Sequence, residues 1–432
     1  MNINRHSLRT SYFVLLTSLT LLIEGSANAD PSISNVSARQ RWPWNSLVDI
    51  DFTIGGASEG EAFFIDVTAS AENGARTLYA KSFTSEPIAK AGANRIVWDF
   101  GVDYPDYRAD DVRVTVTATP ISDSTPVYMV VDLSGGASAT SYPVHYTTNA
   151  PTMTVGQEDP CKTTELWLRR VKAKNIVRGY GSTWTQKTTN YDPHYAMLTN
   201  DFYIGIFPLT QAQAYNIKGA YYSYFTNETC RATRPMDAVN IATVRGSYGF
   251  PPRSVAKTSG SILRNLEDRT GLPFDLPTEW QWEFALRAGT TENYYPGAKT
   301  QNKRDWSTLE EPRNATEDYG TLYVDHGTPN SWGIYCIFGN VWEWCLNQPG
   351  WFEGIGANKA TAYINTQDNP KIDPCASASY SPNYKFMVRG VACTFGTLNN
   401  NGRLCSFSQV DARNVNNYTS LGYGARVCLT IP

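Results

Sequence analysis

Leu276-Pro-Thr-Glu-Trp-Gln-Trp-Glu-Phe-Ala-Leu-Arg287 is the stretch on which the fold turns. Thr278 precedes a periodic apolar run and Gln281 lies three residues on. This is the spacing of a capping box, in which a hydroxyl and an amide satisfy free helix N–H groups reciprocally. Trp282, Ala285 and Leu286 then line one helical face. The same device recurs upstream, where Phe202-Tyr-Ile-Gly-Ile-Phe207 reads as a strand running through Pro208 into the box Thr210-Gln-Ala-Gln213. Between and after these helices the sequence is long loop rich in Gly, Asn and Tyr. Two helices, few strands and that much loop make an unusual domain.

Further segments follow in register with these two. They are Arg234-Pro-Met-Asp-Ala-Val239, Pro329-Asn-Ser-Trp-Gly-Ile-Tyr335, Gly339-Asn-Val-Trp-Glu-Trp344 and Gly424-Ala-Arg426. In this order, over about residues 127–432, the chain resembles the formylglycine-generating enzyme, or sulfatase-modifying factor, family, a variant of the C-type lectin fold. The resemblance implies an α+β, loop-rich, C-type lectin-like formylglycine-generating-enzyme fold for residues 161–432.

It also implies sites. Family members that oxidise a sulfatase cysteine carry two cysteines about five residues apart after an R-G-G-S-[WY] strand, holding one Cu(I), a soft ion suited to thiolates. Here the strand reads Arg389-Gly-Val-Ala-Cys-Thr-Phe395, and the next cysteine after Cys393 is Cys405. The spacing of a preformed two-thiolate clamp is absent. Cys393 and Cys405 are therefore catalytic candidates only under the alternative of a copper-dependent formylglycine-generating oxidase, and otherwise structural thiols or disulfide partners. The family's Ca²⁺ loop maps onto Cys336, Gly339, Val341 and Glu343. A thiol is a poor ligand for so hard an ion, which leaves Gly339, Val341 and Glu343 as the calcium candidates. Glu343 reads equally as a buried acceptor for loop amides. His145, His194 and His326 lack the spacing that the iron-dependent sulfoxide synthases of this fold require, and no G-x-S-x-G marks a serine hydrolase.

The segment Arg389–Arg426 is where family members build their substrate face. Here it offers Thr394, Asn399, Asn400, Asn401, Arg403, Ser406, Asn414, Asn416, Asn417 and Tyr418. Such side chains combine donors, acceptors and low-entropy contact area, as adaptable recognition loops do. The stretch resembles that of hypervariable display proteins of this fold. The resulting expectation is non-catalytic binding of a protein, peptide or glycan. The alternatives are polar residues that merely solvate a loop, or a structural cell-envelope component.

Before residue 125 the pattern has period two. Val48, Ile50, Phe52 and Ile54 alternate with polar residues, as do Val112, Val114 and Val116. Residues 30–124 are thus expected to form an all-β sandwich of immunoglobulin or fibronectin type, and 125–160 a connecting strand and linker. Arg5 and Arg9 precede an apolar run to Ile23 and the small residues Ala27-Asn-Ala29, so residues 1–29 read as a secretory signal cleaved before Asp30. The run spans only about 18 Å as a helix, and no later stretch is apolar enough for a transmembrane segment. The expected location is secreted, periplasmic or extracellular. Eight cysteines, all after residue 160, permit disulfides there. Lys+Arg 37 against Asp+Glu 40 gives a net charge of −3 with no basic run, which argues against nucleic acid. A hydrophobic share of 41% excludes a disordered tail protein.

Overall fold

The computed structural model describes residues 31–41, 45–108, 111–122, 124–180, 194–226, 231–246, 256–290, 321–336, 340–346, 366–373, 388–390, 408–409 and 422–432. The proposed signal, residues 1–29, lies outside them. The N-terminal part contains β1 (Ser32–Gln40), β2 (Leu47–Gly55), β3 (Ala62–Ala71), β4 (Arg76–Tyr79), β5 (Ile88–Lys90), β6 (Gly92–Asp99), the short helix α1 (Phe100–Asp103) and β7 (Arg113–Pro120). They make two antiparallel sheets, one ordered β1-β2-β6 and one ordered β4-β3-β5 with β7 also paired to β3. Alternation explains the packing: Ile50, Phe52 and Ile54 of β2 share a core with Phe63, Ile65 and Val67 of β3. Trp98 is buried in that core, and its indole N–H needs a partner there. It donates to the Asp103 carboxylate at 2.7 Å, which also accepts from the backbone N–H groups of Lys81 and Ser82.

The second part begins earlier than expected. Its strands are β8 (Tyr128–Asp132), β9 (Val144–Thr147), β10 (Glu165–Val171), β11 (Val177–Tyr180), β12 (His194–Met197) and β13 (Phe202–Gly205). Helices α2 (Gln211–Lys218), α3 (Ile241–Val244), α4 (Ile262–Thr270) and α5 (Glu279–Arg287) follow, then β14 (Trp342–Trp344), β15 (Lys371–Ile372), β16 (Val388–Gly390), β17 (Ser408–Gln409), β18 (Tyr423–Gly424) and β19 (Cys428–Thr430). A five-stranded antiparallel sheet runs β19-β13-β10-β8-β9. The strand read as a connector is thus β8, the neighbour of β10, and the boundary at 125–160 is corrected accordingly. Nor does the rest of that stretch hang free. Lys162 is fully buried, with Nζ 2.7 Å from Asp325 and 2.8 Å from the Thr154 carbonyl.

Both capping boxes form. Thr210 and Gln213 close the start of α2, and Thr278 and Gln281 that of α5. α5 differs from expectation in one respect: all its residues are buried, not one face. Its polar side chains survive there because they are paired, as the next section describes. Of the two states open to each cysteine, disulfide or buried thiol, Cys161, Cys336 and Cys345 are buried thiols. Burial pushes Cys161 and Cys336 up to about 12, and Cys345 well above the usual thiol range. Cys230, Cys375, Cys393 and Cys405 lie outside the described residues. Among the described residues no helix is long and apolar enough to cross a membrane.

Candidate functional site

A small four-stranded sheet, ordered β17-β16-β14-β18, brackets residues 391–407 and 410–421 in the sequence. β14 pairs antiparallel with β16 and parallel with β18, and β16 pairs antiparallel with β17. Residues 391–407 therefore leave from β16 and return at β17, and 410–421 leave from β17 and return beside β18. The predicted recognition residues Thr394, Asn399, Asn400, Asn401, Arg403, Ser406, Asn414, Asn416, Asn417 and Tyr418, and both Cys393 and Cys405, fall in these two stretches, outside the described residues. The structure defines the frame to which they are anchored.

The frame is held by buried charge. Arg389 of β16 donates to Glu283 of α5 at 2.9 Å and lies 3.4 Å from Glu279. Arg287 donates to the same Glu283 at 2.7 Å. Burial alone would push the Glu283 carboxyl up, but the two guanidinium groups outweigh it and hold it below the usual range. Beside this cluster lies a second pair, Glu343 of β14 with Arg426, joined at 2.8 and 2.9 Å. Arg426 also donates to the carbonyls of Gly205 and Tyr335, which ties the small sheet to the five-stranded one. Trp282 connects the two clusters: its N–H donates to Glu343 at 2.7 Å, and Arg389 lies over its ring at 5.8 Å. Gly424 is required by close approach, since a Cβ there would sit 2.5 Å from the Met236 carbonyl.

These contacts decide how the calcium candidates read. Val341 and Glu343 are fully buried, while Gly339 lies outside the described residues. Both oxygens of Glu343 are engaged, by the Arg426 guanidinium and the Trp282 indole rather than by loop amides. Cys336, at the position where an oxygen ligand would stand, is a thiol held protonated by burial. A guanidinium on the carboxylate and a neutral thiol do not fit a hard dication. His194 is not a ligand-like histidine either: its Nε2 accepts from the Trp280 indole at 2.8 Å and its ring stacks on Tyr180.

Sequence reasoning passed over several residues of this region. Asn330 accepts from the N–H groups of Trp332 and Ile334 and donates to the carbonyls of Ala285 and Leu286, which closes the C-terminus of α5. Asp237 accepts from the N–H groups of Tyr224 and Phe225 at 2.8 and 3.3 Å, and burial pushes its carboxyl up to about 6. Glu283 and Arg287 carried a usable signal, an i,i+4 acid–base pair flanking the apolar run Phe284-Ala-Leu286.

Parts of this chain are similar to known proteins. Residues 170–365 match the sulfatase-modifying factor enzyme 1-like domain. The formylglycine-generating enzyme of Mus musculus is 42% identical over 77 residues, covering 16% of this chain and 21% of that enzyme. That of Thermomonospora curvata is 37% identical over 80 residues, covering 17% of this chain and 26% of the relative. The chain thus spans only about a quarter or less of the length of these relatives. Among solved structures, Treponema denticola variable protein 1 superposes with a TM-score of 0.43 at 17% identity, covering 65% of this chain and 99% of that one. With its helix starts, its W-E-W strand and its matched segment in one order, the chain carries a domain of the sulfatase-modifying factor enzyme 1-like, formylglycine-generating-enzyme-like kind.

Proposed function

We propose that this is an exported binding protein: an immunoglobulin- or fibronectin-type sandwich acts as a spacer, and the formylglycine-generating-enzyme-like domain engages a protein, peptide or glycan through residues 391–407 and 410–421 without chemistry. The observation that carries the reading is the frame. Strands β16, β17 and β18 fix the ends of both stretches, and the buried Arg389–Glu283 and Glu343–Arg426 pairs fix the strands. A rigid base under Asn-, Ser- and Tyr-rich excursions suits recognition, because the base folds whatever the excursions contain. The wide spacing of Cys393 and Cys405 supports the non-catalytic half of the proposal.

Two measurements test it. Full-length protein loaded with Cu(I) and given a sulfatase-type cysteine peptide is expected to leave the peptide unchanged by mass; conversion to formylglycine overturns the reading. A variant with Asn399, Asn400, Asn401, Asn416 and Asn417 all changed to Ala is expected to melt within a few degrees of wild type. A large loss of stability would make these side chains structural and remove them as a recognition surface.

A further inference from the structure

Three of the exposed large side chains of the described chain fall within ten residues of one another: Tyr215 at 42%, Tyr221 at 44% and Tyr224 at 60% exposure. They occupy the end of α2 and the turn after it. Tyr215 and Tyr221 are stacked, with centroids 4.6 Å apart and an interplanar angle of 24°. The Arg231 guanidinium lies 4.2 Å from the Tyr221 ring centre, and Lys218 Nζ lies 4.9 Å from that of Tyr222. The turn is held open by its backbone, since Asp237 accepts from Tyr224 and Phe225 N–H and Gln211 donates to the Phe225 carbonyl at 2.9 Å. Gly219 ends α2 in the left-handed region, which sends the chain back across the helix and sets Tyr221 against Tyr215.

We propose that Tyr215, Lys218, Tyr221, Tyr222, Tyr224 and Arg231 form a binding platform for an acidic polysaccharide. The rings are already fixed, so little side-chain entropy is lost when a ligand settles on them. A tyrosine face carries negative quadrupole density and attracts the positive C–H edges that one face of a sugar ring presents, while the phenol oxygen meets its hydroxyls. Charge completes the match. Within the described residues 211–226 and 231–237 the cations are Lys218, Arg231 and the buried Arg234 and the acid is the buried Asp237, with Glu228 outside the described residues. A uronate or sulfate on the sugar would meet Lys218 and Arg231. Single-stranded nucleic acid fits less well, because two half-buried cations do not make a track for a phosphate backbone. The platform is built on α2 and the turn after it, not on β16, β17 or β18, and its failure would leave the proposed function standing.

The test is binding of the full-length protein to polygalacturonate, heparin, neutral dextran and a thymidine oligonucleotide. Polygalacturonate or heparin is expected to bind, more weakly as salt rises. Affinity should fall about tenfold in Tyr221→Ala and in Lys218→Gln, and stay unchanged in Tyr79→Ala, a remote exposed tyrosine. Arg231→Gln, which leaves every ring in place, serves where the melting curve of Tyr221→Ala shows damage. Equal or tighter binding of dextran or of the oligonucleotide, binding of neither polyanion, or wild-type affinity in the folded Lys218→Gln and Arg231→Gln variants overturns the proposal.

Discussion

Trp282 touches both buried charge clusters, through Arg389 on its ring and Glu343 on its nitrogen. Truncating it opens a cavity and leaves a buried carboxylate short of a donor, so Trp282→Ala should lose about 3–5 kcal/mol in urea unfolding. Trp342, also buried, should lose a similar amount as Trp342→Ala. Wild-type midpoints in either variant would place that ring outside the core. Asp237 supplies a pH dependence. Its folded pKa is raised to about 6, mainly by burial, from an unfolded value near 3.8. Between those values the unfolded chain has released a proton that the folded chain still holds. Stability therefore falls as pH rises from about 4 to 6 and is level above, by about 3 kcal/mol for a shift of this size. Asp237→Asn should flatten that limb in pH-dependent melting, and an unchanged slope would assign it to other groups.

At the scale of elements, the two capping boxes have unequal duties. The Thr278 side chain accepts from Gln281 N–H, whereas that of Thr210 accepts from Gln213 N–H and also donates to the Lys162 carbonyl at 2.7 Å. Thr278→Ala should cost about 1 kcal/mol and Thr210→Ala measurably more, read as midpoints in thermal melting. The reverse order would mean that the bond to Lys162 adds nothing. These boxes were legible in the sequence because a cap is made by residues three apart. So were β2, whose alternation is local, and β13, a short apolar run. The ion pairs that hold β16 and β14 were not, since Arg389 and Glu283 are 106 residues apart and no local pattern links them. The place of β8 was illegible for a related reason: an apolar run of strand length has the same appearance whichever strand it pairs with. The raised Asp237 carboxyl was illegible because burial, which perturbs it, is a property of the folded chain.

Across the whole molecule the two parts meet along a specific seam. Glu86 lies 3.4 Å from Arg170, which also pairs with Asp201 at 3.0 Å, and Tyr146 N–H donates to the Lys81 carbonyl. Burial raises the Glu86 carboxyl against the pull of Arg170. Lys172 reaches across to the Ile121 carbonyl. Coupling of this kind predicts one calorimetric unfolding transition for the wild type, and two for a Glu86→Ala, Lys172→Ala double variant. Two transitions in the wild type would show that the seam transmits nothing. The position of β8 matters in another way. Residues 170–365 carry the family match, yet the sheet they depend on draws β8 and β9 from before residue 150 and β19 from the last few residues. A gene fragment cut at the edges of the recognisable homology would keep β13 but lose β8, β9, β19 and most of β10, leaving a strand with two unpaired edges, prone to pair with its own copies. Recombination, natural or by design, can move this domain intact only with breakpoints upstream of residue 126 and beyond β19.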